Sequence, residues 1–214
     1  MNPDRIHSTG ARTGAIAGAP ALLLRLLAAL AVLAAASAAS AHTGEAAGGG
    51  FVTGFLHPLF GWDHVAAMVA VGLWGAFLGA PAIWLLPVTF PLVMALGGAL
   101  GVAGVPVPGI EFGIAASAMI IGAAVMLALR PPLVVAAVVV GFFAIFHGHA
   151  HGTEMPGAAS PLAYAAGFVI GTGLLHLAGI SLGLVASSER GALAVRGHGA
   201  VIALAGVGFL TGTL

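Results

Sequence analysis

The sequence predicts an all-α fold, a polytopic helical membrane protein with a cleavable signal peptide and six transmembrane helices. Only 6% of the 214 residues are charged, whereas about 25% are charged in an ordinary soluble domain. Hydrophobic residues make up 60% of the chain, and the mean hydropathy is +1.14. The 34 glycines suit helices that approach each other closely in lipid.

The charge balance and the absence of cysteine exclude several classes of function. A formal net charge of zero excludes a basic surface for nucleic acid. Because the sequence contains no cysteine, disulfides, thiolate nucleophiles and cysteine-based metal sites are excluded as well. Nine histidines exceed the six acidic residues, an unusual balance for a membrane protein that calls for an explanation.

Residues 1–41 have the features of a signal peptide. Arginines precede a short apolar core, and a small-residue cleavage pattern ends at Ala41. An uncleaved signal anchor is the alternative, but the apolar core is short for a membrane span. Cleavage after Ala41 would leave His42 as the new N-terminus, where its amine and imidazole either chelate a metal or are simply solvated. Residues 42–50 are predicted to be a flexible exoplasmic N-terminus.

Residues 51–214 are predicted to form a six-helix transmembrane domain. Breaks rich in Pro, Gly and Ser separate six apolar segments, each near the length that a bilayer requires. These segments are 51–79, 82–103, 109–129, 133–151, 161–186 and 193–213. The positive-inside rule assigns the loops that carry Arg130, Arg190 and Arg196 to the cytoplasm. The mature N-terminus is then in the periplasm.

The first candidate metal site lies in the first span, at His57-Pro58-Leu59-Phe60-Gly61-Trp62-Asp63-His64. Ionisable groups at membrane depth are costly and indicate function. On a continuous helix, His57 and His64 share a face, and Asp63 lies about 100° away. Pro58 is predicted to kink the helix, which would bring Asp63 and both histidines together as a buried metal site.

A second candidate site ends the fourth span. His147, His151 and Glu154 are spaced i, i+4 and i+7 and so share one helical face, while His149 points the other way. This face is predicted to meet water as an outer collecting site for metal, separate from the buried one. The alternative is a histidine-rich surface loop without function.

Two further residues have weaker support. His176 lies deep in the fifth span, either as a ligand or as a core histidine bonded to a carbonyl. Glu111 begins the third span, either as a contributor to the site or as a solvated interfacial acid.

Both motifs resemble a known family. HPLFGWDH resembles the HPxxGxDH signature of the HupE/UreJ nickel permeases, and FHGHAHGTE resembles their FHGxAHGxE motif. The resemblance implies a bacterial inner-membrane protein that imports Ni²⁺, in some members Co²⁺, for hydrogenase or urease. The implicated residues are His57, Asp63, His64, His147, His151 and Glu154. Phe90 and Glu111 match further family positions, and His149 falls at a variable one.

The ligand set does not by itself choose a metal or a mechanism. Imidazole and carboxylate suit Ni²⁺, Co²⁺, Zn²⁺ and Cu²⁺. With no phosphate-binding G-x-x-x-x-G-K-[ST] motif in the sequence, the predicted function is a secondary transporter, driven by the membrane potential. An intramembrane hydrolase with Zn²⁺-activated water and a non-transporting metal sensor are the alternatives. We predict no enzymatic activity, no resident cofactor and no nucleic acid partner. The predicted partners are a divalent metal ion and the lipid bilayer. The sequence leaves open whether the protein forms a homo-oligomer.

Overall fold

The computed structural model describes residues 50–155 and 160–214, and within these ranges all regular structure is helical. The predicted signal peptide, nearly all of the predicted N-terminal segment 42–50 and His42 lie outside the described residues. A 3-10 turn at Leu184–Ser187 joins the last two of the seven α-helices that lie in these ranges. The helices are α1 (Phe51–Phe60), α2 (Trp62–Leu78), α3 (Ala82–Val102), α4 (Ile110–Met126), α5 (Leu133–Thr153), α6 (Pro161–Gly183) and α7 (Glu189–Thr211).

The helices confirm an all-α multi-pass membrane protein. Four of them, α3, α5, α6 with the following turn, and α7, are long and apolar enough to cross a membrane. The pair α1 and α2 forms a fifth candidate span that is bent by 83°. The sixth predicted span corresponds to α4, whose 17 residues reach only about 25 Å, against a hydrocarbon core of about 30 Å.

α4 ends earlier than the sequence predicts because the backbone reverses at Ala128. This residue has a φ of 55°, the left-handed conformation that often terminates helices. Its N–H donates to the carbonyl of Val125, and the N–H of Leu129 donates to that of Ala124. These bonds cap the last turn.

Glycines set how closely the helices approach. A Cβ at Gly148 or Gly152 of α5 would collide with the backbone of α3, at the carbonyls of Met94 and Gly98. In the same way, a Cβ at Gly72 of α2 would collide with the carbonyl of His176 on α6. Small residues of this kind let helix backbones touch in a membrane, so these contacts fix which face each helix presents to its neighbour.

The helix pairs have a regular arrangement. The bent pair α1 and α2 runs parallel to α6, α3 runs parallel to α5, and α4 runs antiparallel to α7. The first three spans are α1 with α2, α3 and α4, and the last three are α5, α6 and α7. If each span is replaced by its counterpart in the other half, the pair of α1 and α2 with α6 becomes the pair of α5 with α3. The pair of α4 with α7 stays the same. This is the pairing expected of a three-plus-three inverted repeat.

The first span breaks at Gly61, and the predicted kink at Pro58 is wrong. Pro58 lies inside α1, while Gly61 is extended, with φ −85° and ψ 107°. A Cβ at Gly61 would lie 3.0 Å from both Asp63 Oδ1 and His64 Nδ1, so glycine leaves room for that pair. His57 and His64 therefore belong to different helices and do not share one helical face.

Candidate metal centre

Four histidines from three helices form one cluster. The ring of His151 on α5 lies 4.7 Å from that of His57 on α1 and 4.4 Å from that of His64 on α2, measured between centroids. His64 in turn lies 4.7 Å from His147. The rings therefore form a row in the order His57, His151, His64, His147.

The predicted separation into a buried site and an exposed collecting site is wrong. His151 is only 5% exposed and His147 is fully buried, so neither of these rings meets water as predicted. Two features cause the difference. The bend between α1 and α2 separates His57 from His64, and α5 inserts His151 between them.

Glu154 supplies the carboxylate that contacts His57. Glu154 Oε2 lies 3.4 Å from His57 Nε2, and the Glu154 side chain is 54% exposed. Ligand atoms of His57, His151 and Glu154 all lie within 4.8 Å of one another, a spacing that one metal ion could bridge. Two imidazole nitrogens and a carboxylate suit a divalent first-row metal, and the exposed glutamate marks where the cluster meets the surface of the bundle.

Asp63 contacts His64. Its Oδ1 lies 2.7 Å from His64 Nδ1 and also accepts the backbone N–H of that residue at 2.8 Å. A carboxylate bonded to one ring nitrogen fixes the tautomer and leaves the other nitrogen as a ligand. That nitrogen, His64 Nε2, is buried and has no hydrogen-bond partner among the described residues. This geometry favours a positioning role for Asp63 over the predicted role of direct metal ligand.

We expect Asp63→Asn to weaken the binding of a divalent metal about 10- to 100-fold, the usual effect of losing such a partner to a ligand histidine. The amide lacks the charge that holds the proton on His64 Nδ1. Equilibrium dialysis of purified protein with Ni²⁺ measures the affinity. His198→Ala is the control, because His198 is exposed on α7 and bonds only its own helix. Equal affinities in the two variants would contradict the positioning role.

His147 is oriented by Ser117 of α4. The Ser117 hydroxyl donates to the carbonyl of Ile114 at 2.6 Å and lies 2.9 Å from His147 Nε2. Because the hydroxyl uses its one proton on Ile114, it accepts from the His147 ring. His147 Nδ1 is then the lone-pair atom, and within the described structure it has no partner.

Unpaired ring nitrogens are concentrated in this cluster. His64 Nε2, His147 Nδ1 and both ring nitrogens of His151 are buried, and the part of the chain that the structure describes offers them no hydrogen bond. Buried polar atoms are nearly always paired in native proteins, and each unpaired one calls for a ligand, ion or water. Four such atoms in adjoining rings fit a metal-binding role.

The remaining candidates are divided between this cluster and other places. Phe90 is fully buried, with its ring 5.3 Å from His147 and 5.5 Å from His176. His149 Nε2 bonds the carbonyl of Val105 at 2.8 Å and so ties α5 to the loop after α3. Glu111 is exposed in the first turn of α4 and makes no ion pair with any described residue.

One wall of the cluster was not predicted from the sequence. Phe168 of α6 lies 4.1 Å from His151 between ring centroids, and Tyr164 lies 6.1 Å from His57. Beyond these two residues, Thr172 and the predicted candidate His176 continue the same four-residue spacing along α6, and all four side chains are buried. That period was visible in the sequence and could have revealed this face of α6, whereas nothing in the sequence marks Ser117.

Comparison with known proteins agrees with the motifs. The family model described as HupE / UreJ protein matches residues 30–209. Protein HupE of Rhizobium leguminosarum bv. viciae is 42% identical over 172 residues, which cover 80% of this chain and 90% of that protein. No solved structure matches the chain. The family match and this relative, together with the bundle of apolar helices, show that the chain belongs to the HupE/UreJ family.

Proposed function

We propose that this protein is a secondary transporter that imports Ni²⁺ across the bacterial inner membrane, with Co²⁺ as a second substrate, for the maturation of hydrogenase or urease. The family has a permease-type role in nickel and cobalt handling and consists of transporter-type accessory proteins, not enzymes. The observation that carries the proposal is the row of four histidines with a glutamate at its exposed end.

The row supports stepwise transfer of the ion. Glu154 is exposed and would capture the hydrated cation together with His57 and His151. Neighbouring rings are 4.4 to 4.7 Å apart, so the ion would exchange one imidazole for the next without losing all its ligands. The ion is then bound only moderately tightly at each position. A transporter requires this because it must also release its ion.

The membrane potential is the proposed driving force. It supplies about 2.3 kcal/mol per charge per 100 mV, so roughly twice that for a divalent ion. Arg130 stacks on Phe77 near the end of α2, and Arg196 bonds the carbonyl of Met126 at the end of α4. Both arginines therefore lie at the end of the bundle opposite Glu154. The positive-inside rule then favours Glu154 on the periplasmic side, together with the mature N-terminus.

Uptake into liposomes tests the proposal against its alternatives. We expect purified protein to accumulate Ni²⁺ in sealed liposomes, faster with an inside-negative potential, and to be inhibited by Co²⁺ more than by Zn²⁺. Protein-free liposomes are the control. Binding of Ni²⁺ without accumulation would instead support a metal sensor. Accumulation that ignores the potential would contradict the proposed driving force.

A further inference from the structure

Two polar side chains on α6 have no use in the histidine cluster. Thr172 is fully buried, and His176, one turn later on the same face, is 2% exposed. Thr172 Oγ1 and His176 Nε2 are both buried without a hydrogen-bond partner in the described residues. A helical threonine usually bonds a carbonyl one turn back, so an unpaired Oγ1 here is unusual.

The His176 ring has one backbone acceptor on α3 for one of its two nitrogens. The carbonyl of Pro87 on α3 faces the His176 ring. Residue 91, four positions later, is also a proline and has no N–H to bond that carbonyl within the helix. The carbonyl thus serves as an acceptor for the ring, while His176 Nε2 and, one turn away on the same helix, Thr172 Oγ1 remain without a partner in the described residues.

Water from outside the bundle is poorly placed to satisfy these groups. His176 borders a groove of about 350 Å³ between α3 and α6. It is the only ionisable residue among those lining the groove, which otherwise presents side chains such as Trp84, Val88 and Leu174. In a membrane this groove faces lipid, so a partner for the polar groups has to come from within the bundle.

Within the bundle, the ring of Phe90 lies between the histidine cluster and His176. Phe90 lies 5.3 Å from His147 on one side and 5.5 Å from His176 on the other. Along α6, His176 follows Tyr164, the neighbour of His57, by 176 − 164 = 12 residues, or about 18 Å. His176 therefore lies much farther from the Glu154 end than His57 does.

We propose that His176 Nε2 and Thr172 Oγ1 form an inner station for the divalent cation, separated from the four-histidine cluster by the ring of Phe90, while the Pro87 carbonyl orients the His176 ring. The station rests on the proposed transport function and extends it. It has one imidazole and no carboxylate, so it binds the ion more weakly than the cluster. Weak binding beyond the barrier favours onward release.

Two conservative variants test the station. His176→Gln keeps a donor for the Pro87 carbonyl but loses the ligand nitrogen, and Thr172→Val keeps the shape but loses the hydroxyl. We expect the maximal rate of Ni²⁺ uptake in liposomes to fall about tenfold for His176→Gln and severalfold for Thr172→Val. The nickel concentration for half-maximal uptake should stay the same, since a step after binding is affected.

Two readouts separate the station from a packing role. Melting temperature in detergent should be unchanged, and titration with Co²⁺, followed by its visible absorption, should show the outer cluster intact. Wild-type maximal uptake in both folded variants would overturn the station and leave the proposed function standing. Loss of Co²⁺ binding at the cluster would also overturn it, because His176 would then support the outer site. Failure of wild-type protein to transport either metal would refute the proposed function, and the station with it.

Discussion

His151→Ala is expected to lower the maximal rate of nickel uptake on the order of 100-fold, and raising the nickel concentration should not restore it. His151 occupies the second place in the row, between His57 and His64, with both ring nitrogens buried and unpaired in the described structure. Its loss would break the series of ligands in the middle. The measurement is a concentration series of Ni²⁺ uptake in liposomes, normalised to the amount of protein.

His149→Gln is the matched control for this prediction. It lies in the same motif and on the same helix, but its ring bonds the carbonyl of Val105, and glutamine can donate to the same oxygen. We expect uptake close to wild type. Partial rescue of His151→Ala by high nickel would mean that His151 acts as a separate outer collecting site, and the row of four histidines would not be the path.

Gly148→Ala is expected to destabilise the protein by about 3 kcal/mol, the upper end of the range for overpacking, and to abolish uptake. The added methyl group would overlap the carbonyl of Met94. Because that atom belongs to the backbone of α3, no side-chain rotation can relieve the contact. The helices would separate, and the neighbouring His147 would lose its position against Ser117.

Thermal unfolding in detergent measures this effect, with Gly197→Ala as the control. Gly197 is exposed on α7, and in the described structure a Cβ there meets no atom within 4 Å. Replacing this helical glycine should therefore stabilise the protein by up to about 1 kcal/mol. Equal melting temperatures for the two variants would show that α3 and α5 do not pack through Gly148.

The fold class and the candidate ligand residues could be predicted from the sequence because both depend on local properties. Composition and mean hydropathy predict helices in a membrane, and proline and glycine mark most of the boundaries. The end of α4 was missed because alanine, not glycine, takes the left-handed position at residue 128. The two histidine motifs stand out by residue type alone, and the same types also predict a nitrogen and oxygen donor set.

The arrangement of the candidate ligands could not be predicted in the same way. Helical spacing gave His57 and His64 one face, but the break at Gly61 put them on separate helices. The partner of Asp63 is the adjacent His64 rather than a convergent triad, and His57 is joined by Glu154 from α5. Each of these contacts depends on the angle between two helices.

The sequence alone thus determined a helical membrane protein of the HupE/UreJ type, with histidine and carboxylate groups as its candidate ligands. Only the tertiary structure decided that both motifs form one row and that Phe90 separates this row from His176. The reason is physical. Residue type and helical period are set within a few residues along the chain, whereas the meeting of helix faces depends on close backbone contacts, such as that of Gly148 with Met94, between segments far apart in sequence.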